Sequence, residues 1–270
     1  MLEKMKVHNF FTEIAFIPFN YKRSNPKTTR LFAANSDYYA ICVHGCNHTG
    51  NEFGGSGYKE LSDLSSTALW RMEQHKRITG LPYDPVMVFP QGQFSSTAMK
   101  VIKDQGYFAA FNSNIRAVDT PFEPFAIEYQ YFSTKMYHNF PLFLRLNPKN
   151  KSHFVDAVAS GHPIVIDTHH SDFRNGYKAI TDLVDWINSF GNIKWTSLLN
   201  IAEHYSGKKY VNCANAVNSS PSHPCPSGKT ILRRFLSETR DNYIETNNFL
   251  ADAYRTLRMV IQKRRLRATR

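Results

Sequence analysis

Ile41-Cys42-Val43-His44-Gly45-Cys46-Asn47-His48-Thr49-Gly50-Asn51-Glu52-Phe53 is the stretch on which the reading of this chain turns. It opens on an apolar run, Tyr38 to Val43, that reads as a strand. It closes in a glycine-rich loop at Gly54, Gly55 and Gly57. Chemistry-bearing side chains gathered just past a strand end are typical of parallel α/β folds, whose ligand sites lie at the carboxyl ends of the strands. His44 and His48 are four residues apart. If the chain turns helical after the strand, that spacing puts both imidazoles on one side. Two such histidines are good ligands for Zn2+ or another divalent ion. Cys42 and Cys46 raise a rival, a Cys/His zinc knuckle. The paired C-x2-C spacing of zinc ribbons is absent, and Cys42 reads better as a small core residue.

Working outward, short apolar runs alternate with helical stretches. Strands are expected at Glu13–Phe19, Val86–Pro90, Tyr107–Phe111, Phe140–Leu146, Pro163–Asp167 and Ile193–Thr196. Helices are expected over Leu2–Phe11, Leu64–Thr79, Ser95–Gln105, His153–Ala159, Tyr177–Phe190 and Ser197–His204. This alternation argues for βα units with a parallel sheet, open or closed as a barrel.

Two further strand ends carry polar residues. Val88-Phe89-Pro90-Gln91-Gly92-Gln93-Phe94-Ser95 runs from a strand into a helix. Gly92 there allows close backbone approach, and the helix start offers N–H donors to an anion. Ile164-Val165-Ile166-Asp167-Thr168-His169-His170-Ser171-Asp172-Phe173 runs from a buried strand into two histidines and can supply a general acid.

These three segments, in this order, resemble the polysaccharide deacetylase superfamily of metal-dependent carbohydrate esterases. His44-Gly45-Cys46-Asn47-His48 is similar to the family's H-[ST]-x-x-H metal motif. Phe89-Pro90-Gln91-Gly92 is similar to its R-x-P-[YW]-G loop, and Ile166 to His170 to its late L-x-H motif. The resemblance spans about residues 10–205. It implies a distorted (β/α)7 barrel, here incomplete. It implies a divalent metal, usually Zn2+, with His44 and His48 as ligands. A backbone N–H near Gly92 would help hold the oxyanion, and His169 or His170 would be the leaving-group acid. The implied reaction is hydrolysis of a carbon–nitrogen bond other than a peptide bond, removing acyl groups from N-acetylated carbohydrate.

The chain departs from the pattern in two places. The family's first motif, an Asp-Asp pair ahead of the first helix, has no counterpart, because the first aspartate is Asp37. Val88 stands where the proline loop has its arginine. The third ligand and the base are then missing. Glu52 or Asp172 are the conceivable substitutes. A truncated or degenerate, inactive copy is the expectation, with a barrel that lacks its first strand.

Composition bounds the rest. The 270 residues are 42% hydrophobic, enough for a core and against wholesale disorder. No apolar run reaches the ~18 residues of a membrane span. The N-terminus lacks the layout of a secretory signal, so a cytoplasmic protein with free thiols is expected. The net charge of +11 is uneven: Gly228–Arg270 carries +7 and the preceding 227 residues +4. The expected organisation is a barrel over 1–205, a loop over 206–229 and a basic helical tail over 230–270. Lys263-Arg264-Arg265-Leu266-Arg267 with Arg270 raises the alternative of a protein that binds glycans without catalysis, or an anionic surface or nucleic acid. No recognised nucleic-acid module accompanies the tail, so nucleic acid is disfavoured as a partner. Carbohydrate is the expected one, and the sequence says nothing of oligomeric state.

Overall fold

A computed structural model describes residues 1–55, 57–120, 134–149, 151–207, 228 and 231–232. The chain divides into two units, Met1–Pro224 and Cys225–Arg270. The loop expected over 206–229 and the helical tail expected over 230–270 lie almost wholly outside the described residues.

The first unit is an α/β fold built on one six-stranded sheet. Its strands are β1 (Thr12–Phe16), β2 (Tyr39–His44), β3 (Asp84–Val88), β4 (Ala109–Asn112), β5 (Thr134–Tyr137) and β6 (Phe140–Leu144). Its helices are α1 (Leu2–His8), α2 (Pro26–Ala33), α3 (Tyr58–Thr79), α4 (Ser96–Asp104), α5 (Lys151–Ala159), α6 (Lys178–Asn188) and α7 (Leu198–Ser206). The strand order is β1-β2-β3-β4-β6-β5, parallel throughout except for the β5–β6 hairpin. β1 and β5 are the two ends of this ladder.

Strand alternation sorts the core into two faces. Cys42, Val86, Val88, Ala109, Phe111, Phe143 and Val165 share the inner face with Ala202 of α7. Ile41, Val43, Met87, Ala110 and Leu142 take the outer face, packed with Leu61, Ala68, Leu69 and Met72 of α3 and Met99 and Ile102 of α4. Both faces are covered by helices, which is why these strands read as continuous apolar runs. Beyond β6 the curl continues through one parallel bridge, Leu146 to Ile166. The architecture is a distorted, barrel-like α/β fold.

Three sequence expectations change. The strand over Pro163–Asp167 reduces to that bridge, closed by Leu146 N–H to Val165 O (2.6 Å) and Asp167 N–H to Leu146 O (2.9 Å). Residues Ile193–Thr196 form no strand. The side chain of Trp195 anchors them instead, donating to Asn188 Oδ1 at 2.7 Å and packing edge-on against Phe10. The helix expected from Leu64 starts six residues earlier, at Tyr58.

α7 is seated by acidic groups. Its N-cap Ser197 accepts from Asn200 N–H, Glu13 Oε2 accepts from Leu198 N–H (2.6 Å), and Asp84 Oδ2 accepts from Leu199 N–H (3.2 Å). Carboxylates suit a helix N-terminus because the amides there are unpaired and carry partial positive charge. Burial, then the nearby Asp84, nevertheless push the Glu13 carboxyl well above its usual range. Its Oε1 is sealed from solvent without a partner. A carboxyl raised in the folded state contributes stability that is present below the unfolded-state pKa and is lost as pH rises through the folded-state value. Glu13→Gln keeps an acceptor for Leu198 N–H and removes the charge. It should stabilise the protein at neutral pH and flatten the decline in stability between acid and neutral pH, measured by urea denaturation across that range.

Candidate functional site

β2 delivers His44 to the carboxyl end of the sheet, and the chain then turns sharply rather than entering a helix. Gly45 (φ +62°), His48 (φ 56°) and Asn51 (φ 56°) adopt left-handed backbone. The two imidazoles still meet, with ring centroids 4.7 Å apart. The loop, not a helical repeat, brings them together. Nδ1 of His44 donates to the carbonyl of Val88 at 2.9 Å, which fixes the ring. A backbone contact of this kind commonly orients a ligating histidine.

Glu52 organises the turn. Its carboxylate accepts the backbone N–H groups of Cys46 (3.0 Å), Asn47 (2.7 Å) and His48 (3.1 Å). Burial raises the Glu52 pKa, and the three amides and the charge of Arg71 pull it back. Arg71 on α3 is buried. It donates to the carbonyl of Cys46 (3.3 Å), to Cys46 Sγ (3.3 Å) and to Asn47 Oδ1 (2.8 Å). Burial pushes the Cys46 thiol up to about 12, and burial with Glu13 raises Cys42 well above its usual value. Cys42 and Cys46 are both buried, and among the described residues no third His, Cys, Asp or Glu joins them in a group that could hold a metal ion, so the ligand set of a zinc knuckle is not assembled there.

The Pro90–Gly92 turn abuts this loop. A Cβ on Gly45 would clash with the ring of Pro90 and lie 2.6 Å from Glu52 Oε2. Gln91 Oε1 accepts Asn51 N–H at 3.2 Å. Gly92 (φ +66°) turns its carbonyl onto the amide of Asn112 at 2.9 Å, and its own N–H reaches Phe89 O at 3.4 Å. Asn112, buried at the end of β4, also donates to Asn114 O and so clamps the turn from below.

His169 and His170 follow the Leu146–Ile166 bridge and are exposed. They begin a 3-10 turn closed by Asp172, whose carboxylate accepts His169 N–H at 2.8 Å. Asp167 is held by Arg145 at 2.9 Å, both side chains largely buried. Among the described residues no three His, Cys, Asp or Glu side chains are gathered for a metal ion. Neither late histidine therefore joins His44 and His48 as a third donor. Glu52 is occupied by the loop amides and Asp172 by its capping turn. Among the described residues the donor set is two imidazoles, fewer than the three protein ligands a catalytic zinc takes.

Arg71 and Asn112 are the site residues missed in the sequence. Arg71 lies between Ala68 and Met72 on an apolar helix face, a visible anomaly. Asn112 looks like an ordinary turn residue.

No protein-family model matches the sequence, and no curated protein matches it. Solved structures do match. A protein assigned as a polysaccharide deacetylase from Mycobacterium smegmatis superposes with a TM-score of 0.51 at 13% identity, covering 76% of this chain and 75% of that one. A CE4 family pseudoenzyme from Bacillus anthracis gives a TM-score of 0.45 at 11% identity, covering 78% of this chain and 60% of that one. No helix among the described residues is long and apolar enough to cross a membrane. From the first of these structures, the chain has the fold of the polysaccharide deacetylases.

Proposed function

We propose that this chain is a divergent deacetylase-fold protein that binds N-acylated carbohydrate at the carboxyl end of its sheet and, as this chain alone, does not hydrolyse it. The observation that supports the reading is the His44–His48 pair, rigidly presented at a strand end by the buried Glu52–Arg71 framework. Imidazole edges suit the hydroxyl and amide groups of an N-acyl sugar. His169 and His170, at the same end of the strands, add protonatable groups to the rim. Two imidazoles can hold a divalent ion only weakly, with the rest of its coordination left to water or substrate.

The test is acetate release from N-acetylglucosamine oligomers by the purified chain, with and without added Zn2+, Co2+ or Ni2+. Binding of the oligomers without acetate release is expected. Metal-dependent acetate release that disappears in His44→Ala would overturn the non-hydrolytic reading. Absence of any oligomer binding would overturn the whole.

A further inference from the structure

From Ile14 to Ser36 the chain has no acidic residue, while it carries Lys22, Arg23, Lys27 and Arg30. Outside this stretch the first 227 residues balance, with 18 basic and 18 acidic side chains. The whole excess charge of that part of the chain is therefore concentrated in one loop and the short helix α2.

The structure places this stretch beside the candidate site. It is the connection from the carboxyl end of β1 to α2. Phe19 N–H donates to the carbonyl of Cys46 at 2.9 Å, so the connection lies directly against the His44–His48 loop. Tyr21 packs edge-on against Trp70, the neighbour of Arg71. Ser24 shares a hydrogen bond of 2.8 Å with Nε2 of buried His75. The segment is thus pinned at three points. The four cationic side chains themselves are exposed. Lys27 and Arg30 are three apart on one helix face. Lys22 and Arg23 lie over the rings of Tyr21 and Phe19, each 5.3 Å from the centroid. Among the described residues no carboxylate is within ion-pairing distance of any of the four. Their charges are available to a partner.

We infer that Lys22, Arg23, Lys27 and Arg30 form a docking strip for an anionic polysaccharide, adjoining the candidate site and selecting carboxylated over neutral chains. This rests on the carbohydrate-binding reading above. An extended polymer seated at the sheet end would run its next residues over the β1–α2 connection. There, four exposed cations on a segment pinned against the His44–His48 loop offer charge to the carboxylates of the chain.

The test compares binding of hyaluronan oligosaccharide (N-acetylated and carboxylated), N-acetylglucosamine oligomer (neutral) and a short duplex DNA to the full chain at low and moderate salt. Two variants accompany it: K22Q/R23Q/K27Q/R30Q, and a matched change of Lys263, Arg264, Arg265 and Arg267 to Gln. The strip predicts salt-sensitive preference for hyaluronan, weakened on the order of tenfold or more in the first variant and kept in the second. Neutral-oligomer binding stays unchanged in both, and melting curves verify that the exposed substitutions leave the fold intact. Loss of the preference only in the tail variant, or tighter DNA binding that depends on the same four residues, would overturn the inference. Hyaluronan binding that needs the four residues, with no neutral-oligomer binding, would uphold the strip while rejecting the carbohydrate site at His44 and His48.

Discussion

Arg71→Met should destabilise the protein by about 3–5 kcal/mol, the usual cost of removing one partner from a buried charge arrangement. Three effects combine. Asn47 Oδ1 loses its Arg71 donor, and the Cys46 carbonyl is left with Phe19 N–H alone. Glu52 remains buried without the positive charge that offsets its desolvation. The side chain of methionine fills the volume but supplies no hydrogen bond. Arg71→Lys should recover only part of the loss, because the contacts to Cys46 and Asn47 are made by the terminal Nη1 and the shorter lysine side chain does not place its ammonium at that point. Urea denaturation measures the cost. Imidazole NMR signals of His44 and His48 should broaden or move in Arg71→Met, since the loop that holds the rings together loses its anchor.

Gly45→Ala should cost about 2–4 kcal/mol, from a left-handed backbone that alanine disfavours and from overpacking. The added methyl has nowhere to go: Pro90 closes one side and the Glu52 carboxylate, at 2.6 Å, the other. Relief requires the His44–His48 loop and the Pro90–Gly92 turn to move apart, so carbohydrate binding should weaken with stability. Gly50→Ala is the control. A Cβ there meets nothing within 4 Å, and the change should stay within about 0.5 kcal/mol. Equal losses at the two glycines in thermal or chemical melts would show that the interlocking of the loops has no energetic consequence.

The parallel sheet was legible because its strands are buried on both faces, so Tyr39–His44, Asp84–Val88 and Ala109–Asn112 announce themselves as apolar runs. α4 was legible from its Ser95 cap, whose hydroxyl accepts Ala98 N–H at 3.0 Å. α2 was missed although Asn25-Pro26 is a cap followed by proline at the first helical position, with Asn25 Oδ1 accepting Lys27 N–H at 2.8 Å. The β5–β6 hairpin was half seen. Its turn, His138-Asn139, has both residues at positive φ without a glycine, so the usual signal was absent.

The site divides the same way. His44, His48 and Gly92 stand out by type and spacing, and the structure sets the two histidines in contact and presses their loop against the turn that holds Gly92. What holds them was hidden, because it depends on pairs far apart in sequence: Arg71 with Asn47, Asn112 with Gly92, Arg145 with Asp167. The Glu52 carboxylate, a conceivable ligand by type, is consumed by three amides within six residues of itself. No composition or periodicity argument distinguishes those two fates.

The most direct measurement of the central claim is a histidine-selective NMR titration of the full chain with N-acetylglucosamine oligomer, with acetate monitored in the same tube. Saturable shifts of the His44 and His48 imidazoles without acetate production are predicted. Acetate accumulating on the timescale of the titration, or saturable binding that leaves both imidazoles unmoved, would contradict the account.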